Sequence, residues 1–337
     1  MEDFIDIDES RVISLQEYVA SIEDNARRNA VIDMFDNSLP LLELMKANFR
    51  ARTEIPAVSV RTTPAAIADT NPLGIIIVSV GMIDHCLNAQ WPQSHEVLGH
   101  DGPYVLGMNL VAQLGMGWVL AHEYTHMFRH HHEVETHLGS TKQVKRAFEH
   151  DADLCATAGI YRRLQYLMGK FMPDDAVRRY AVFALFWIIR SIPETKSGAG
   201  IHPSFSERFF QITLKLVVLQ ETPGELYDPD LKSPRTRARG DRVMDAAISC
   251  ERVYQDIFGM GAGNYFTDWL AYFSSGGHTR IIRDWIKVSP WVEHFSGLRA
   301  DMKAPYIALQ KEKRSAKKAK KVRRQTQKTA RKNSRKH

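Results

Sequence analysis

Residues 120–132 read LAHEYTHMFRHHH. His122 and His126 stand four apart, which puts both imidazoles on one face of a helix, and Glu123 sits beside them. Apolar Met116, Val119, Leu120 and Met127 recur at three- and four-residue spacing, so 116–127 is expected to be a helix with one side buried. Histidines and a glutamate on such a helix need polar partners. Two imidazoles with an adjacent carboxylate suit a metal ion and a proton acceptor. A catalytic zinc, however, takes three protein ligands and leaves its fourth position to water.

Two residues compete for the third place. His132 lies ten residues after His122, the spacing of HExxHxxGxxH, where glycine makes a sharp turn at positive φ. Arg129 holds that position here, and 130–132 reads better as a polar loop. The other candidate is Glu149 in FEHDADLCA (148–156), with Asp153 four residues on along the same helical face. One carboxylate of such a pair can bind zinc while the other accepts a hydrogen bond from a ligating imidazole. Alone, the pair would pass for a solvated acidic face; on a separate apolar helix after HEYTH, it makes Glu149 the preferred ligand.

A third stretch, HPSFSER (202–208), places His202 just ahead of an apolar helix. When water attacks a carbonyl, the developing oxyanion needs a donor, and His202 could supply it. It could equally be a helix-opening residue with no catalytic task. Arg208 could brace the acidic cluster or bind substrate.

HEYTH, EHDAD and HPSFSER in combination resemble the gluzincin pattern HExxH…ExxAD…HPxxxxR of the HtpX-type and CAAX-prenyl-protease-type metallopeptidases and their soluble relatives. The segment NPLGIIIVSVGMID (71–84) is similar to the strand and helix that open that family's catalytic domain, where a sheet-edge strand binds peptide. The resemblance implies one Zn2+ per chain, held by His122, His126 and Glu149. It implies Glu123 as general base, His202 as transition-state donor, Asp153 behind a ligand with Arg208 beside it, and Ile75, Ile76, Ile77 and Val78 as the substrate-binding strand. More loosely, the chain resembles the phage-exclusion (Lit-type) peptidases, which bears on substrate alone and implies a translation elongation factor.

The rest of the chain sets the frame. Its 337 residues carry a formal charge of +6, but 311–337 holds fourteen Lys/Arg against one acid, so the remainder is at −7. The three cysteines, Cys86, Cys155 and Cys250, form no CxxC pair and suit a reducing compartment. The acidic start MEDFIDIDESRV lacks signal-peptide features, and no apolar run reaches the ~20 residues of a membrane span. A cytoplasmic protein is expected. GxSxG and GxxxxGK[ST] are absent, and GMGAG (259–263) follows no strand.

Two helices separated by a turn at Asp36-Asn37-Ser38 and Pro40 are expected within 10–50, then strands at 57–60 and 75–80. Further helices are expected at 145–168, at 176–192 as a central buried element, and at 205–219 behind a Ser204/Glu207 capping box; 221–241 reads as a loop. The expected fold is α+β and mainly helical, a zincin-like catalytic domain with a small sheet beside the active-site helix. Its divisions would be a helical region (1–54), a catalytic domain (55–310, core 71–219) and a basic, disordered tail (311–337). The expected partner is a protein or peptide substrate. The tail could also neutralise nucleic acid or another anionic surface, although no aromatic residue interleaves its charges. The alternative function is an inactive zincin scaffold acting through that tail; an intact Glu123 argues against it, because a structural metal site gains nothing from a general base.

Overall fold

A computed structural model describes residues 11–71, 74–89, 91–99, 106–191, 203–222, 233–259 and 265–297. His202 and the tail 311–337 lie outside them. The fold is helical α+β: twelve helices among the described residues and one four-stranded sheet. The described residues up to Ser296 form one compact unit.

The chain opens with strand β1 (Val12–Ser14) and helix α1 (Leu15–Ser21). Ser14 caps α1 reciprocally with Glu17: the hydroxyl accepts from the Glu17 N–H at 3.1 Å, and the carboxylate accepts from the Ser14 N–H at 2.8 Å. Helix α2 (Asn25–Phe49) then runs unbroken through the expected turn. Tertiary contacts override the turn-forming residues. Asn37 Nδ2 donates to Asp33 O at 2.8 Å, and the Ser38 hydroxyl lies within 2.6 Å of Met34 O and 2.8 Å of Gln113 O. These polar groups are thus satisfied inside a helix, while Val31, Met34, Phe35, Leu41, Leu42 and Met45 bury against the neighbouring helices.

Strands β2 (Ala57–Arg61), β3 (Ala68–Thr70) and β4 (Ile75–Ser79) complete a sheet of order β1-β2-β4-β3. β4 is parallel to β2 and antiparallel to β3, with Ile76–Val78 paired on both sides. This corrects one expectation. Ile75, Ile76, Ile77 and Val78 cannot take a peptide as an added strand, because their backbone groups are committed to β2 and β3; Ile75 N–H is itself bound by Asn71 Oδ1 at 3.0 Å. The edge nearer the site is β3. Among the described elements it packs against β4 and the helix α5 (Met108–Phe128).

Between sheet and α5 come α3 (Val80–Asn88) and the short α4 (Ser94–Leu98). After α5 follow α6 (His131–Leu138), α7 (Lys142–Met168) and α8 (Asp174–Ser191). Helix α8 is the buried centre expected of its sequence, with Val177 and 181–186 without solvent contact. Helix α2 seats on both α5 and α7 where glycine allows it. A Cβ at Gly117 would meet Leu41 Cδ2 at 3.2 Å, and one at Gly159 would meet Met45 Sδ at 3.0 Å. The two helices that carry HEYTH and EHDAD are thereby locked side by side against a common third.

Helix α9 (Phe205–Val218) begins with the expected capping box: the Ser204 hydroxyl accepts from the Glu207 N–H at 3.3 Å, and Glu207 Oε2 accepts from the Ser204 N–H at 3.2 Å. Its far end is held by cations, as the helix dipole favours. Buried Arg178 donates to the carbonyls of Leu216 and Leu219, and Arg239 to those of Val217 and Leu219. Arg239 belongs to α10 (Pro234–Phe258), which corrects the expected loop at 221–241 from residue 234 onward; 223–232 lie outside the described residues. Ser233 caps that helix and Pro234 occupies its first turn, so the residues read as breakers are a helix start. Helices α11 (Tyr265–Ser274) and α12 (Gly277–Ser296) finish the unit. Val288 and Val292 of α12 pack with Val134, Val144 and Phe148 of α6 and α7. No described helix is long and apolar enough to cross a membrane.

Candidate metal centre

Helices α5 and α7 bring together the three residues that the sequence singled out as ligands. One donor atom from each of His122, His126 and Glu149 lies within 4.8 Å of the others. His122 Nε2 is 3.3 Å from His126 Nε2 and 3.4 Å from Glu149 Oε2, and His126 Nε2 is 3.7 Å from Glu149 Oε1. Among the described residues this is the one such cluster, and it could hold a metal ion. Glu123, next along α5, is half-buried.

The other nitrogen of His122 points away from the cluster and lies 3.0 Å from Asp153 Oδ1. Asp153 is gripped in turn by Arg208 of α9, whose Nε donates to Oδ2 at 2.8 Å and Nη2 to Oδ1 at 2.7 Å. The Arg208 guanidinium also covers the Trp118 ring at 5.1 Å, one turn before His122. Burial would raise the Asp153 carboxyl, but Arg208 and His122 outweigh it and hold it down to about 2. For His122, burial works downward, yet the facing Asp153 and Glu149 carboxylates prevail and push it up to about 10. For His126 burial prevails, helped by His131 and His122 and opposed by the Glu149 and Asp151 carboxylates, and the imidazole falls to about 3.

His132 is not part of this arrangement: it is exposed on α6. The expected polar loop at 130–132 is a correction as well, because α6 begins at His131. The turn that HExxHxxGxxH would need at Arg129 falls one residue later, at His130, whose φ of 55° is left-handed. That turn swings His131 back over α5, where it is buried and stacks on Phe148 with centroids 4.4 Å apart. Sequence reasoning passed over His131 and also Asp151, which lies between Glu149 and Asp153 in the chain. The available signal was a run of histidines at the end of a helix that already carried two.

His202, ahead of the α9 cap, lies outside the described residues. Arg208, predicted from the same motif, is present in the centre through Asp153.

Fold and site together define a helical α+β protein with a two-histidine, one-glutamate cluster backed by a clamped aspartate. Comparison with protein families carries this one step further: residues 82–224 match the model of the family described as Peptidase U49. The matched span runs from α3 to just past α9 and contains every described residue of the centre. The match supports a peptidase acting on protein. No curated protein matches the chain.

Proposed function

We propose that the chain is a zinc-dependent endopeptidase of gluzincin type. The observation that carries this reading is the spacing of the three ligand atoms. Zinc bonds of about 2.0–2.1 Å to nitrogen and oxygen place tetrahedral neighbours about 3.4 Å apart; His122 Nε2 lies 3.3 Å from His126 Nε2 and 3.4 Å from Glu149 Oε2, and the other carboxylate oxygen, Oε1, lies 3.7 Å from His126 Nε2. Nitrogen and carboxylate donors are the set zinc favours when it keeps a position open for chemistry. When bound, zinc supplies Lewis acidity that polarises a carbonyl and acidifies water.

The chain's own residues do the rest. Glu123, adjacent to His122 and half-exposed, accepts the proton of the attacking water and returns it to the departing amine. Asp153, held by Arg208, keeps a proton on His122 Nδ1, so the proton given up on metal binding would be the one on Nε2, the nitrogen that faces the cluster. His202, two residues before the α9 cap, donates to the developing oxyanion. Substrate backbone pairs with the open side of β3 rather than with β4, because β3 is the sheet edge beside α5.

The test is Glu123→Gln. It should keep about one zinc per chain and lose peptide-bond cleavage by several orders of magnitude; a variant that cleaves at the wild-type rate overturns the assignment.

A further inference from the structure

Behind His126 lies a second polar chain that no motif predicted. His126 turns Nε2 toward the ligand cluster, and its Nδ1 lies 3.1 Å from Nδ1 of His131. On its other side, His131 Nε2 is 3.2 Å from Asp151 Oδ2. Asp151 takes two N–H groups from Arg129, Nε at 2.7 Å and Nη2 at 3.4 Å. The middle of the chain is enclosed, with His131 2% and Asp151 7% exposed, and its ends, His126 and Arg129, are partly buried. Arg129 lies over the Trp285 ring of α12 at 5.7 Å, which ties the far end of the chain to another helix.

Only one assignment of protons satisfies every contact. A neutral His126 that offers Nε2 to a metal carries its proton on Nδ1. Facing it, His131 Nδ1 must be the acceptor, so the His131 proton sits on Nε2 and is donated to Asp151. Asp151 must then be an ionised, acceptor-only carboxylate, and Arg129 supplies the compensating charge. The arrangement matches the one behind His122, where Asp153 and Arg208 do the same work in a single step. Both aspartates come from α7, two residues apart, and each serves a different imidazole of α5.

We infer that His131 and Asp151 are positioning residues for His126, relaying an arginine-clamped carboxylate through a second imidazole to fix that ligand's tautomer and ring orientation. The inference rests on the metal reading above. Outer partners of a ligating histidine typically contribute 10–100-fold to metal affinity. A neutral imidazole is an unusual choice for the first of them. Its rigid ring, stacked on Phe148 next to Glu149, spans the distance between His126 Nδ1 and the Asp151 carboxylate.

The experiment compares full-length wild type, His131→Leu and His131→Gln. Zn2+ affinity is measured by chelator competition, the visible spectrum after Co2+ substitution reports ligand geometry, and thermal unfolding of the metal-free proteins controls for folding. Glutamine can accept from His126 and donate to Asp151; leucine can do neither. The expected result is a loss of about 10–100-fold in affinity and an altered Co2+ spectrum for the leucine variant, with most of both restored by glutamine. Wild-type affinity and spectrum in His131→Leu overturn the inference. So does an equal loss in both variants, which would make ring packing on Phe148 the cause. Should His131→Leu lose its unfolding transition, Asp151→Asn takes its place, and unchanged affinity there overturns the inference. Wild type that binds neither Zn2+ nor Co2+ removes the metal reading itself, a result distinct from all of these.

Discussion

Arg208 and Asp153 meet through two N–H donations, at 2.8 and 2.7 Å, across 55 residues of sequence. The aspartate is buried and the arginine nearly so. Removing the arginine would leave an uncompensated carboxylate against His122, and breaking a buried pair in this way costs on the order of 3–5 kcal/mol. Arg208→Ala should therefore destabilise the fold by about 3 kcal/mol and weaken metal binding as well. Arg208→Lys should recover part of the stability, but less of the metal affinity, because an ammonium cannot hold both carboxylate oxygens in one plane. Urea unfolding and zinc competition on both variants check this; an alanine variant as stable as wild type would show that the pair contributes nothing net.

The third ligand is open to a direct comparison of Glu149→Ala and His132→Ala. Glu149 is within 3.4 Å of His122 and 3.7 Å of His126, whereas His132 is exposed on α6. Metal content by mass spectrometry should read about one zinc per chain for wild type and for His132→Ala, and well below that for Glu149→Ala. Zinc retained without Glu149 would move the third ligand elsewhere.

Acid should destabilise the metal-free protein earlier than its carboxylates alone would suggest. His150 is buried on α7, and burial lowers it to about 4 from an ordinary 6.5. A lowered histidine contributes stability that is fully present above pH 6.5 and is lost as the pH falls toward 4, because the unfolded chain takes up the proton first. The shift corresponds to about 3 kcal/mol at most. With chelator present, unfolding free energy should decline between pH 6.5 and 4 through His150 together with the buried His126 and His131, and His150→Gln should make that decline shallower by His150's share. Identical pH profiles for the two proteins would remove His150 as the cause.

Side-chain spacing within a helix was legible in the sequence, and the fold class with it, whereas the order of the sheet was not. HEYTH and EHDAD carry their geometry in the sequence, since four-residue spacing on a helix fixes which side chains share a face. Glu149 and Asp153 therefore arrive where the spacing put them. Asp151 escaped notice because its partner, His131, reaches it only through a left-handed turn at His130, a conformation that histidine rarely advertises. The strand Ile75–Ser79 was recognised, but not its place in the sheet. Sheet order depends on where β3 folds back, and the three residues of β3, Ala68-Asp69-Thr70, have no strand pattern of their own. Breakers misled twice, at Pro40 and Pro234, once because tertiary packing won and once because proline at the first turn starts a helix.

The same packing at α2 yields a prediction far from any ligand. Leu41 is 2% exposed and lies against the bare backbone of both Gly117 on α5 and Gly159 on α7, at 3.2 and 3.4 Å from where their Cβ atoms would stand. It therefore wedges into the seam between the two helices that carry the ligands. Leu41→Ala should cost about 3 kcal/mol through lost burial and an unfilled cavity. It should also relax the distance between α5 and α7, so zinc should bind more weakly although no ligand is touched. Filling the space again from the other side, by adding Gly117→Ala to Leu41→Ala, should recover part of both losses, since Leu41 is the one close neighbour that a methyl group there would meet. Thermal unfolding and zinc competition on the single and double variants decide it. A stability loss without any change in affinity would mean that the cluster is held by its own side-chain contacts and not by the seam.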